Sequence, residues 1–294
     1  MKKIRNDYAD TEESFGRRKD RRKPKSKRSV KQLHAKPEAP GDATFSDASL
    51  QRLLERGFLD AVLGELKSGK EATVYLAEGP QGLLAAKVYS DLAVRSFRKD
   101  SVYRQGRYVA DARIKKAINQ RSLNGLQAQQ ALWVYEEYRQ MWELFEAGLP
   151  VPKPAVGPDS SDIIESGHTV LMEFIGTRDH AAPRLSDTRL PPDEAQAAWE
   201  QSLDILVKFL DLGKVHGDFS TYNLLWWEGR VVVIDFPQVV SVEENSHAWE
   251  LLERDVVSLC TSFKRHRIYE DPQDVLRAVK ARARPPAPTV KPLL

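Results

Sequence analysis

From about residue 46 onward, apolar positions recur at spacings that predict alternating short strands and longer helices. Ser46-Asp47 reads as a helix N-cap ahead of Leu50, Leu53 and Leu54, and Gly57 stops that helix. The stretch Val62 to Ala77 reads as a strand, a tight turn at Gly69 and a second strand. A further turn at Gly79-Pro80-Gln81-Gly82 leads into a third strand, Leu83 to Tyr89. A helix is predicted over Ala128 to Glu146, with Leu132, Tyr135, Tyr138, Met141, Trp142 and Phe145 on its inner face. Gly148 ends it, and Pro150, Pro152 and Pro154 forbid its continuation. Thr169 to Gly176 reads as a strand, Thr177 to Pro192 as a loop, and Asp193 to Leu212 as a helix with Trp199, Leu203, Leu206, Val207 and Leu210 inward. Leu224 to Trp227 and Val231 to Ile234 flank the turn Glu228-Gly229-Arg230 as a hairpin. Helices over Ala248 to Phe263 and near Pro272 to Ala283 complete the series. No internal repeat is visible.

Composition changes this picture at one end only. Residues 1–40 hold 14 Lys/Arg against 6 Asp/Glu, leaving 31 against 36 in the remainder, so the net charge of +3 conceals a basic tail on an acidic body. Arg17 to Arg28 is a basic run broken by Pro24, with too few apolar residues to offset the entropy of ordering. Residues 1–40 are expected to be a disordered tail, acting either as a solubiliser or as a contact for RNA phosphates. From Asp91 to about Gln127 the chain is again basic and polar, and reads as a mobile or substrate-facing insertion. No run of 18 apolar residues exists, the segment after Met1 lacks an apolar leader, and the single Cys260 lies among apolar residues as an inert thiol. A cytoplasmic protein with no membrane segment is expected.

The candidate chemistry lies where polar residues interrupt apolar runs. Lys87 stands inside Leu83 to Tyr89 and needs either an anionic partner or a path to solvent along its stem; nucleotide phosphates and a helix glutamate are the partners that fit. Glu136 and Glu137 on the long helix are the candidates. The ordered set His216-Gly217-Asp218, Asn223 and Asp235 places one carboxylate in a loop, an amide five residues on, and a second carboxylate at a strand end. That layout is shared with kinase catalytic loops. One carboxylate can take the acceptor's proton, while the amide oxygen and the other carboxylate are hard ligands for magnesium.

With these motifs in order, the chain resembles the RIO family of atypical serine/threonine protein kinases, in its RIO-one branch. The match runs from about Leu53 to Phe263 and rests on Ser68-Gly69-Lys70-Glu71-Ala72-Thr73-Val74-Tyr75, Gly148 to Pro154, Met172 to Gly176, His216 to Asn223, and Ile234-Asp235-Phe236-Pro237-Gln238. The resemblance implies an α+β, two-lobed protein-kinase-like fold. Residues 41–175 would form an N-lobe with an antiparallel sheet and helices, residues 176–284 a mostly helical C-lobe, and 285–294 a frayed end. It implies ATP and Mg2+ as cofactors, with Lys87 on the α- and β-phosphates and Glu137 orienting it. Ser68, Lys70 and their neighbours would cover the phosphates, and the backbone of Glu173 and Ile175 would meet adenine. Asp218 would be the catalytic base, and Asn223 and Asp235 the metal ligands. Phe219 stands where the family has leucine, which preserves apolar packing. Phe236-Pro237-Gln238 follows Asp235 without an activation segment or an Ala-Pro-Glu motif. The implied function is phosphoryl transfer to a protein or to itself, or an ATPase switch on ribosomal particles. A small-molecule kinase of the aminoglycoside or choline type shares the His-Gly-Asp and Ile-Asp-Phe pattern but not Ser68 to Glu71 or Pro237-Gln238. A non-catalytic RNA-binding assembly factor has no reason to keep Lys87, Asp218, Asn223 and Asp235 together.

Overall fold

A computed structural model describes residues 47–69, 71–90 and 123–286. The basic tail, Lys70, the core of the basic insertion (91–122) and residues 287–294 lie outside the described residues.

Helix α1 (Ala48–Glu55) opens the described chain, and the Asp47 carboxylate caps it by accepting the N–H groups of Ser49 and Leu50 at 2.9 and 3.2 Å. Strands β1 (Ala61–Ser68), β2 (Ala72–Gly79), β3 (Gly82–Tyr89) and β4 (Thr169–Glu173) form one antiparallel sheet in that order. Register places Lys87 opposite Val74 on one side and Val170 on the other, so it lies on a central strand with both edges hydrogen-bonded. Helix α2 (Leu123–Glu146) covers the sheet. It begins before the predicted Ala128, and its buried face is Val134, Tyr138, Met141 and Leu144. The expectation that Leu132 points inward fails: it is 38% exposed, while Trp133 and Val134 are buried. A helix advances 100° per residue, so a face centred on Tyr138 and Met141 turns position 132 outward. The Tyr138 hydroxyl joins helix and sheet by accepting the Leu171 N–H at 2.6 Å and donating to the Thr169 carbonyl at 3.3 Å.

A short helix α3 (Ser160–Glu165), absent from the sequence reading, precedes β4 and is tied to α1 by Arg56 through Asp162 and Glu165. Beyond β4 the chain is mostly helical. Helix α4 (Pro192–Asp211) starts on a proline that needs no N–H partner, and buries Trp199, Leu206, Val207 and Leu210. Leu203, expected inward, is partly buried against the same core. Strand β5 (Lys214–Val215) pairs with β8 (Val240–Ser241), and β6 (Leu224–Trp227) pairs with β7 (Arg230–Val233). The turn of this hairpin holds Glu228 at φ 49° and Gly229 at φ 76°, the left-handed pair that suits strand twist. Helix α5 (Ala248–Phe263), a 3-10 turn over Lys264–His266 and helix α6 (Pro272–Arg282) close the core, with Phe263 stacked edge-on against Trp199. Cys260 is buried, and desolvation pushes its thiol up to about 11, which makes it inert at neutral pH. Among the described residues, no helix is long and apolar enough to cross a membrane.

Candidate active site

Lys87 is the meeting point of three elements. Its Nζ donates to Glu137 Oε1 on α2 at 2.7 Å and to Asp235 Oδ1, just beyond β7, at 2.7 Å. Glu137 is only 1% exposed, and its other oxygen accepts the Tyr89 hydroxyl, so its charge is met from two sides. Glu136, the alternative partner, turns instead to Arg139 and Gln140. Burial opposes the Lys87 charge, but the Asp235 and Glu137 carboxylates outweigh it and hold the ammonium protonated well above its ordinary range. Burial likewise pushes Glu137 up against the pull of Lys87.

Asp235, two residues beyond the end of β7, sits at φ 74°, a left-handed conformation that aspartate tolerates better than most residues. Its side chain keeps 45% of its surface, yet its carboxylate is still desolvated by the surrounding protein. That desolvation is outweighed by the charge and hydrogen bond of Lys87, with Arg184 adding to the effect, and Asp235 is held below the usual carboxylate range.

The loop between β5 and β6 carries the remaining groups. His216 is fully buried, edge-on to Phe209, Phe219 and Phe236, and desolvation lowers it to about 4. It is therefore neutral at physiological pH, and its Nδ1 accepts the Asp218 N–H at 3.3 Å. Gly217 at φ 82° makes the turn that puts His216 inward and Asp218 toward the cleft. Asn223 Nδ2 donates to the Asp218 side chain at 2.9 Å and to its carbonyl at 3.0 Å. Two acceptors fix which end of the amide faces Asp218, and leave Asn223 Oδ1 turned away from it. Desolvation raises Asp218, reinforced by the nearby Asp235 charge and opposed by the Asn223 bond.

Sequence reasoning missed what holds this loop. Asp255, on α5, accepts the Gly217 N–H at 2.7 Å and the Phe219 N–H at 3.0 Å, while Arg254 donates to the Gly217 carbonyl. Burial drives Asp255 up to about 7 against these two amide bonds. Its signal in the sequence is phase: an aspartate between the inward positions Leu251, Leu252, Val256 and Leu259.

Other expected residues lie around this centre with less direct contact. Ser68 ends β1 with its hydroxyl 3.3 Å from that of Thr73, which stands one residue from the Lys87 partner Val74. Glu173 ends β4, and its side chain accepts the Lys153 N–H at 3.1 Å. The Ile175 carbonyl accepts the Ala182 N–H at 2.9 Å, while the Ile175 N–H meets no backbone acceptor among the described residues. Lys70 cannot be placed, being outside them.

The donor set suits magnesium. Asn223 Oδ1 and the Asp235 carboxylate would offer two hard oxygen donors, and among the described residues there is no cluster of three His, Cys, Asp or Glu of the kind softer or caged metals take. Mg2+ is commonly held by one or two protein oxygens, with substrate phosphates completing the shell.

Comparison with known proteins places this arrangement. The RIO domain family matches residues 73–275. The RIO-type serine/threonine-protein kinase Rio1 of Haloferax volcanii is 33% identical over 225 residues, 76% of this chain and 70% of that one. Serine/threonine-protein kinase RIO1 of Caenorhabditis elegans is 30% identical over 207 residues, 70% of this chain and only 38% of the relative. The chain thus spans less than half the length of the nematode protein. Among solved structures, the Rio2 kinase from Chaetomium thermophilum aligns with a TM-score of 0.58 at 20% identity, covering 85% of this chain and 73% of that one. A complex of the same kinase described as ADP/Mg2+-phosphoaspartate aligns at 0.57 and 19% identity, covering 85% and 72%. These likenesses show a kinase-like fold, which in this chain is a four-stranded antiparallel sheet with its helix followed by a mostly helical half. A family match across most of the described residues, and a relative one-third identical over three quarters of the chain, carry the same conclusion as the Lys87, Asp218, Asn223 and Asp235 geometry: the chain belongs to the RIO domain family.

Proposed function

We propose that this chain is an ATP- and Mg2+-dependent phosphotransferase, a serine/threonine protein kinase that also hydrolyses ATP. The observation that carries this reading is Lys87, held between buried Glu137 and cleft-facing Asp235 at 2.7 Å from each, beside the Asp218–Asn223 pair. Lys87 binds the nucleotide phosphates, with Glu137 fixing the ammonium. The backbone of Glu173 and Ile175 lies along the adenine, and Ser68 with Lys70 covers the phosphates. Bound magnesium, held by Asn223 and Asp235, supplies charge neutralisation at the phosphates. Asp218 takes the proton of the acceptor hydroxyl or of water, a role helped by burial that raises it toward working pH.

The fold and the family membership favour this activity over a small-molecule kinase or a non-catalytic assembly factor. The phosphoaspartate in the related Rio2 complex supports a second use of Asp235. A carboxylate oxygen of Asp235 attacks the γ-phosphorus, ADP leaves with the bonding electron pair, and water deprotonated by Asp218 later cleaves the acyl phosphate. The lobe boundary near residue 175, a cytoplasmic location, and an RNA or ribosomal partner for the basic tail belong to the same reading. The test is purified chain with γ-labelled ATP and Mg2+. Asp218→Ala is expected to lower turnover by about 10²–10⁴-fold while nucleotide affinity changes little. Wild-type protein that neither hydrolyses ATP nor transfers label defeats the reading.

A further inference from the structure

We propose that Lys214 is a positioning residue for the nucleotide site, fastening the helix that carries Glu137 to the strand that leads into the catalytic loop. The inference rests on the activity proposed above and concerns how its geometry is held. Lys214 is the first residue of β5, two positions before His216 and four before Asp218. Its side chain is 8% exposed, and its Nζ donates to Gln140 Oε1 at 2.9 Å and pairs with Glu143 Oε2 at 2.9 Å. Both partners are on α2, one and two turns beyond Glu137.

The contact is part of a closed polar ring. Gln140 Nε2 donates to Glu136 Oε1 at 2.7 Å, and Arg139 joins Glu136 at 2.6 Å to Glu143 at 3.3 Å. An ammonium on a buried two-residue strand is unfavourable unless its partners are fixed. Among the described residues, both side-chain partners come from the helix that positions Glu137, so the favourable placement of Lys214 and the placement of α2 depend on each other. A shift of α2 by about 1 Å would break these bonds and lengthen the 2.7 Å Glu137–Lys87 bond together. Lys87 would then turn to Asp235, its remaining anionic partner, and compete with the metal for that carboxylate.

Two variants test this, with stability followed in parallel. Lys214→Met keeps the stem and removes the charge, and Glu143→Gln weakens the same link from a half-exposed position without burying anything new. In each, kcat/KM for ATP is expected to fall by about 3–30-fold, and the Mg2+ concentration for half-maximal rate to rise. In a Glu137→Gln background, Lys214→Met is expected to change the rate by less than about twofold, because its effect runs through Glu137. A role confined to stability would lower the melting temperature and leave the Mg2+ requirement unmoved. Additive rate effects of Lys214→Met and Glu137→Gln, or an unchanged Mg2+ requirement in an active wild-type background, overturn the inference. Should the wild type show no turnover, the nucleotide reading fails separately. The same cycle is then read from unfolding free energies, where additivity between positions 214 and 137 overturns the brace.

Discussion

Asp255→Asn separates two roles that one buried carboxylate performs. Ionised or protonated, the Asp255 carboxyl keeps acceptor lone pairs on both oxygens, which take the Gly217 and Phe219 N–H groups separately, whereas an amide offers one oxygen and presents an NH2 to the other donor. Leaving one buried N–H without an acceptor costs about 1–3 kcal/mol. Against that stands the charge itself. Burial raises Asp255 from the ordinary 3.8 to about 7, which at 1.36 kcal/mol per pH unit is a penalty of about 4 kcal/mol for holding the anion in the folded chain. A folded-state value above the unfolded one means stability is fully present below about pH 4 and is lost as pH rises through about 7. The asparagine variant has no such loss. Urea unfolding at intervals from pH 4.5 to 8 should therefore show the variant less stable by about 1–3 kcal/mol at the acid end. The gap should close, or reverse, at the alkaline end. Other titrating groups, Asp218 included, are common to both proteins and cancel in the difference to first order. Catalysis should stay impaired at every pH, because the loop has lost an anchor whatever the net stability. A stability gap that is flat across this range would refute the reasoning, since it would mean that two amide donors outweigh burial and keep Asp255 ionised throughout.

Lys87→Met is expected to abolish nucleotide turnover and also to lower stability by about 3–5 kcal/mol, because it strands the buried Glu137 carboxylate. Glu137→Gln in the same chain should recover much of that loss in thermal unfolding but none of the turnover. Label transferred from γ-labelled ATP should be released by hydroxylamine and be absent in Asp235→Asn. Hydroxylamine-stable label confined to serine, for example Ser26 or Ser29, would instead identify ordinary autophosphorylation. Deleting residues 1–40 should spare ATP hydrolysis and weaken RNA binding, with the difference shrinking as salt rises in filter-binding assays. Equal binding without the tail, or binding indifferent to salt, would leave that segment a solubiliser.

The parts of this protein that were legible in sequence are those where local chemistry and long-range packing demand the same residue. The hairpin at 224–233 was readable because Gly229 supplies the left-handed position its turn requires, and the flanking residues alternate in burial. Lys87 was readable because a charge in an apolar strand must be matched. Local pattern alone left its partner open, since Glu136 and Glu137 are adjacent and only the phase of α2, set by Tyr138 and Met141, decides between them, whereas the family resemblance pointed to Glu137. The same phase error placed Leu132 inward. Asp255 and Lys214 were overlooked for a related reason. Charged residues on a helix or a short strand read as solvent-facing, and only three-dimensional pairing shows that their charges are met by a loop backbone and by a neighbouring helix.

Asp218 and Asp235 show how one cleft gives two carboxylates different work. Both are desolvated, and each repels the other, so without further partners both would be pushed toward the neutral form. Lys87 removes that symmetry. Its ammonium, kept charged by Glu137 from behind, contacts Asp235 at 2.7 Å and holds it ionised, fit to bind a divalent cation or to attack phosphorus. Among the described residues, the Asp218 side chain receives an amide hydrogen bond from Asn223 and a more distant contribution from Arg254, and it stays raised, as the proton-transfer role proposed for it requires. His216, two residues before Asp218, is kept neutral at physiological pH by burial among three phenylalanines, which outweighs the pull of the Asp235 charge. The roles of base and ligand proposed for these two carboxylates thus rest on where one lysine is placed, and that placement depends in turn on the helix carrying Glu137.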